Sequence, residues 1–249
     1  MLLHWSTNLA ELAAVPCIAS FVGTVIDRGA LGKSIGLGRS RCDCCQKVLP
    51  MPDLIPVASF IVLQGHCRFC TAAIPTRYFL AETSALLLSA ASLAVIGGVN
   101  FLMSLPLASL LFALAYFDFR RGRLPDALTL PLCALGLTIA PFKTGAFVDH
   151  LIGAGLAFTV AASIAKVYHA LRNRDGLGGG DIKLLAAAGA WVGSDSVFVV
   201  LLLSCAAALP YALVTGRISK SSPLPFGPFI AATTWATWCW QISSDGARL

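Results

Sequence analysis

Four cysteines of this 249-residue chain are spaced for a metal. Cys42-Asp43-Cys44-Cys45 and Cys67-Arg68-Phe69-Cys70 are two C-x-x-C pairs about 20 residues apart. Two such turns bring the thiolates of Cys42, Cys45, Cys67 and Cys70 to one tetrahedral point, the arrangement a structural zinc ion takes. Four protein ligands leave no open position for water, so the metal would brace the chain rather than react. The stretch is too polar to fold on a core of its own, and metal binding would supply its folding energy. Arg41, Lys47 and Arg68 stand beside the thiols and would favour their ionised form. Cys44 in place of Cys45, or His66 in place of Cys67, would break the two-residue spacing. Cys17, Cys133, Cys205 and Cys239 lie in apolar stretches and read as small packing residues.

A second constellation is acidic. Asp181 follows Gly176-Leu177-Gly178-Gly179-Gly180, and Asp118 sits in Phe117-Asp118-Phe119-Arg120-Arg121. Glycines permit positive φ and close backbone approach, so Gly178 and Gly180 would let an extended substrate strand lie beside the Asp181 carboxylate. A phosphate loop is the rival reading, but this run ends in an acid where a phosphate wants Lys or bare N–H groups. Capping a helix N-terminus is the bland role for Asp181, and pairing with Arg120 or Arg121 is the bland role for Asp118. Asp126, after Pro125, reads as the first-turn charge of a helix. By residue chemistry alone Asp118 and Asp126 are equal candidates for a partner to Asp181. Two carboxylates within hydrogen-bonding distance share a proton, which suits them to activate water and protonate a leaving group. No Ser/His/Asp arrangement or H-E-x-x-H site competes.

The elements that would carry these residues are apolar. The chain is 57% hydrophobic and 12% charged, with mean hydropathy +0.79, about half the charge usual for soluble domains. Its apolar blocks are long enough to cross a bilayer as helices. The expected fold class is therefore an all-α polytopic membrane protein with about eight transmembrane helices and a metal-binding loop domain. The spans are Leu9–Ile26, Tyr78–Ile96, Phe101–Phe117, Asp126–Pro141, Asp149–Ala170, Ile182–Val192, Val197–Thr215 and Gly227–Ile242. No Lys or Arg precedes Ala10, so the first apolar segment reads as a retained span rather than a cleaved signal.

Eight spans place sixteen of the eighteen Lys and Arg on one side and only Lys143 and Arg248 on the other. That side is then cytoplasmic and both termini face outward. The net charge of +6 is explained by this bias and calls for no nucleic-acid partner. The expected organisation is a first helix over 1–26, a cytoplasmic four-cysteine domain over 27–77 and a seven-helix core over 78–249. No internal repeat is apparent. Asp118 closes the third span and Asp181 opens the sixth, so both acids share the cytoplasmic face, where ionisable groups near membrane depth are functional candidates.

Here the chain resembles the type IV prepilin peptidases, a bacterial branch of the GxGD intramembrane aspartyl proteases. The resemblance runs from Ser20-Phe21 to Phe226-Gly227-Pro228-Phe229. Its most specific parts are Gly178-Gly179-Gly180-Asp181 with Lys183-Leu184, and Asp118 with Leu124-Pro125-Asp126. The cysteine pairs, Ile55-Pro56, and Arg77-Tyr78 with Glu82 also match. The resemblance implies Asp118 and Asp181 as the catalytic pair, chosen over Asp126 by register, and Cys42, Cys45, Cys67 and Cys70 as metal ligands. It further implies cleavage of the basic leader of prepilin and pseudopilin precursors in the bacterial cytoplasmic membrane. Many members then N-methylate the new N-terminus from S-adenosylmethionine. The chain departs from the family at Gly23, where Asn is usual, and in its first cysteine pair, where Asp43 and Gln46 replace the usual Pro and Gly. A transporter using the two acids would leave the glycine run and cysteine pairs unexplained. An assembly factor would leave the intact acid pair without a use.

Overall fold

Runs of Leu, Ala, Val and Phe without charge leave the backbone to satisfy its own polar groups, and a helix does so within one segment. The computed structural model describes residues 14–25, 39–96, 98–144, 146–174, 176–216 and 224–246. Outside the described residues lie Leu9–Ala13 and Ile26 of the expected first span, and Arg28, Lys33, Arg217, Lys220 and Arg248 of the charge argument. Among the described residues the helices are α1 (Ala14–Val25), α2 (Ala58–Val62), α3 (Thr76–Ile96), α4 (Gly98–Arg121), α5 (Asp126–Thr144), α6 (Phe147–Arg172), α7 (Gly179–Val214) and α8 (Gly227–Gly246). Three of them, α3, α6 and α7, are long and apolar enough to cross a membrane; α1 and Asp126–Pro141 are shorter apolar helices. The chain divides into two compact units, Met1–Leu102 and Met103–Leu249.

The first unit contains a repeat that the sequence does not advertise. Cys42 N donates to Lys47 O, Gln46 N to Cys42 O and Leu49 N to Ser40 O; 25 residues on, Cys67 N donates to Ala72 O, Thr71 N to Cys67 O and Ile74 N to Gly65 O. Each copy closes with an isolated antiparallel bridge, Arg41 to Val48 and His66 to Ala73. Each also has a left-handed residue just after its second cysteine, Gln46 at φ 58° and Thr71 at φ 56°. Pro50 and Pro75 end the copies and lead into helical turns, a 3-10 turn at Met51–Leu54 and α3. Proline suits that place, since it cannot continue the hydrogen-bonded ladder and pre-sets φ for a helix start.

In the second unit α7 is broken at Gly193 (φ 79°, ψ 177°), a region essentially restricted to glycine. Near its start, Lys183 pairs with Asp126. Beyond the break, Tyr211 packs on Phe229 at 5.5 Å, at the start of α8. The far end of α8 reaches the break itself, where Gln241 Nε2 donates to Val192 O at 2.8 Å and Ser196 Oγ at 2.9 Å. The two halves of α7 therefore run antiparallel, and the chain turns back at one residue. They cover the residues expected as the sixth and seventh spans, with no loop between them. Asp149 of α6 caps the returning half by accepting hydrogen bonds from Ser194 N (3.2 Å) and Ser194 Oγ.

Small residues let these helices approach. A Cβ on Gly153 would lie 2.6 Å from Gly189 O, and Ala154, Ala157, Ala187, Ala188 and Ala190 are all buried, as helix contacts in lipid require. Trp191 and Trp238 meet edge to face at 5.2 Å. Each indole N–H is satisfied, by Leu132 O at 2.9 Å and by Ser104 Oγ at 2.7 Å. This buried aromatic pair sets the spacing of α4, α5, α7 and α8.

Candidate functional site

Asp118 lies in the last turn of α4. Gly122, at φ +60°, ends that helix by donating its N–H to Asp118 O at 2.7 Å, the usual glycine stop. The Asp118 side chain is 6% exposed, and its Oδ2 accepts the backbone N–H of Gly227, at the start of α8, at 2.8 Å. Asp181 lies in the first turn of α7, whose N-cap is Gly178. Its carboxylate takes a backbone hydrogen bond from Gly178 and feels the charge of Asp118. Its Oδ1 is buried with no hydrogen-bond partner among the described residues. The backbone hydrogen bond therefore occupies only part of the Asp181 carboxylate.

The glycine run works by closeness. None of Gly176, Gly178, Gly179 or Gly180 has positive φ, which corrects that part of the sequence expectation; Gly178 itself has φ −68°. A Cβ on Gly180 would sit 2.8 Å from Leu124 Cβ, and one on Gly178 would sit 3.0 Å from Asp181 Oδ2. The run brings the start of α7 against the Leu124-Pro125 turn that separates Asp118 from α5. Asp126 is engaged elsewhere: Lys183 Nζ reaches its two oxygens at 2.7 and 2.8 Å on an exposed face. Gly227 belongs to Pro225-Phe226-Gly227-Pro228, which reads in sequence as a turn and a helix start. Nothing in that pattern announces the hydrogen bond from Gly227 to Asp118.

The other candidate centre is in the first unit. The sulfurs of Cys42, Cys45, Cys67 and Cys70 lie within 4.8 Å of one another. Cys42 and Cys70 Sγ are 3.8 Å apart, close to the edge of about 3.8 Å implied by a tetrahedron with 2.3 Å Zn–S bonds. The four-cysteine group could therefore hold a metal such as zinc. Cys44 is exposed and outside it, and His66 Nδ1 is occupied with Gln64 O at 2.7 Å. The Cys67 thiol is held down at about 7, first by the Phe69 N–H and then by that of Cys70. The basic neighbours act elsewhere. Lys47 lies over the Phe69 ring, Arg68 forks onto Asp53 and Arg41 reaches Gln46 O. At Cys67, backbone N–H groups thus do what the sequence reading gave to cations.

Residues 105–213 match the type IV leader peptidase family, and residues 14–96 match the bacterial peptidase A24 N-terminal domain. A prepilin leader peptidase/N-methyltransferase of Burkholderia pseudomallei is 36% identical over 239 residues, covering 94% of this chain and 75% of that protein. One from Aeromonas hydrophila is 38% identical over 212 residues, 82% of this chain and 72% of the relative. One from Stutzerimonas stutzeri is 32% identical over 246 residues, covering 94% and 80%. No solved structure matches.

Proposed function

The chain belongs to the type IV leader peptidase family, a family of aspartic peptidases whose members here are multi-pass membrane proteins, and we propose that Asp118 and Asp181 are its catalytic pair. The substrates are prepilin or pseudopilin precursors, cleaved at the cytoplasmic face of the bacterial inner membrane. The meeting of two acids from separate helix ends, one gripped by Gly227 and the other with a buried oxygen left over, supports this reading. Of the pair, the ionised member takes a proton from water as that water attacks the scissile carbonyl. The protonated member hydrogen-bonds the carbonyl oxygen and then protonates the leaving amine. Gly178 keeps a side chain off the Asp181 carboxylate, which an extended substrate backbone can then approach, and Gly180 positions that carboxylate by letting α7 start against Leu124.

Eight spans fit this reading, counting α1, α3, α4, α5, α6, the two halves of α7, and α8. The positive side of that arrangement carries the acids. Zinc fits the four cysteines and would cross-link the two turns, with Cys42, Cys45, Cys67 and Cys70 as ligands. The relatives' names support a second activity, methylation of the new N-terminus, for which S-adenosylmethionine would supply the methyl group. No nucleic acid enters the scheme.

The test is cleavage of a purified prepilin in detergent, with mass spectrometry of the new N-terminus. Asp118→Asn and Asp181→Asn should each stay folded and lose at least about a thousandfold in rate, as when a group acting in the transition state is removed. Full-rate cleavage by either variant would overturn the assignment.

A further inference from the structure

We propose that a cleft within the first unit is the binding site for a cationic methyl donor of the S-adenosyl sulfonium class, with Glu82 facing the donor's charge. The proposal rests on the reading that this chain also methylates. The cleft holds about 360 Å³ between α1, the cysteine turns, the 3-10 turn and α3, a volume in the range of small-molecule sites. It is separate in sequence from the peptidase acids, which belong to the other unit.

Its walls combine aromatic rings with buried acid. Phe60 and Phe79 stack at 4.7 Å, and Tyr78 lies on the same lining. A planar base can extend such a stack, and ring faces attract a cation. The lining carries three acids, Asp43, Asp53 and Glu82, and two arginines, Arg41 and Arg68; Asp53 is already neutralised, its side chain 3% exposed under the Arg68 fork. Glu82 is 7% exposed and accepts the Val57 N–H at 2.7 Å, but pairs with no cation among the described residues. A buried carboxylate is costly without a counter-charge, and a cationic ligand supplies one. The three acids outnumber the two arginines of the lining, which disfavours a polyanion such as a nucleoside triphosphate.

The wall is also held under tension. Val57 has φ 63° and ψ −53°, a conformation that a β-branched residue avoids. It precedes α2, which gives Ser59 and Phe60 to the lining, with Leu63 just after the helix. The Glu82 bond pins the strained residue and so fixes the wall against α3, as strain held at a ligand site requires. In the reaction a terminal ammonium first gives a proton to water at the open mouth. The freed amine then takes the methyl: the N–C bond forms, the S–C bond breaks, and its electron pair stays on sulfur as a neutral thioether.

Calorimetry on the zinc-loaded protein in detergent tests this with two probes, sinefungin, a cationic analogue, and S-adenosylhomocysteine, which lacks the sulfonium charge. Wild type should bind both. Glu82→Gln, which keeps the acceptor but removes the charge, should weaken sinefungin about tenfold and S-adenosylhomocysteine less than about threefold, the contrast expected of one close charge pair. Ser59→Trp should fill the cleft and weaken both at least about tenfold. Zinc content and thermal unfolding report whether each variant is folded. Should either misfold, photolabelling of wild type with an azido donor replaces it, and the label should fall within residues 20–24 or 40–82. Label in residues 103–249 overturns the proposal, as does wild-type affinity in the folded variants or equal loss of both probes in Glu82→Gln. It is likewise overturned by a wild-type protein that cleaves prepilin yet binds neither probe. A wild type that does not cleave prepilin counts against the peptidase reading instead.

Discussion

Gly227 holds Asp118 through a hydrogen bond of 2.8 Å that spans 109 positions of sequence. The contact depends on the missing side chain, because a Cβ at Gly227 would stand 2.9 Å from Asp118 Oδ2 and 3.0 Å from its Cβ. Gly227→Ala should therefore push the carboxylate aside while keeping the N–H. Since small misplacements can cost on the order of a hundredfold, kcat on a prepilin peptide should fall roughly ten- to a hundredfold with KM little changed. Wild-type kcat would show that the grip is not needed.

Asp126 provides the contrast with Asp118. Its pair with Lys183 has side chains 56% and 43% exposed, and exposed pairs are worth about 0–1 kcal/mol. Asp126→Asn should keep cleavage within about threefold of wild type, in line with that small energy. A loss matching that of Asp118→Asn would mean that family register chose the wrong acid.

Neighbouring cysteines separate in the same way. Cys45→Ser removes one of four sulfurs and should lower bound zinc in plasma emission analysis, while exposing residues 39–75 to protease. Cys44→Ser, at an exposed position outside the cluster, should keep the full zinc content. A wild-type protein purified without chelator and free of zinc would refute the metal assignment.

The reversal at Gly193 should be a weak point for substitution. Any Cβ there meets Asp149 Oδ2, and the φ of +79° is itself unfavourable to other residues. Gly193→Ala should cost about 1–3 kcal/mol or more, read as a lower unfolding temperature in detergent. Asp149→Ala removes the cap on Ser194 and should cost about 1 kcal/mol. The double variant should lose less than both together, since the clash disappears with the carboxylate.

The sequence was informative where spacing is local and weak where partners are distant. The C-x-x-C intervals identify Cys42, Cys45, Cys67 and Cys70, since each pair is made by one turn. The duplication around them is hidden because the copies share little beyond the cysteines and Pro50 and Pro75; backbone hydrogen bonds, not side chains, repeat. Asp181 stood out through its glycines, but those glycines serve contacts with Leu124 and Tyr168 rather than unusual φ. Asp118 and Asp126 were indistinguishable because the groups that sort them, Gly227 and Lys183, come from other helices. Gly193 looked ordinary between two apolar stretches, and only the return path to Phe229 reveals a turn of one residue.

The paired cysteine turns make a frame and a panel of different tolerance. Each copy gives two of the four sulfurs, so neither is a domain alone, and a one-residue insertion within 42–49 or 67–74 would swing a ligand off the tetrahedron. Residues 51–64 lie between the copies, anchored at both ends, and include the 3-10 turn and α2. Lengthening or exchanging that panel would reshape the cleft while the frame stayed closed. Chains built on this plan can thus diverge in what the panel contacts without relearning how to fold.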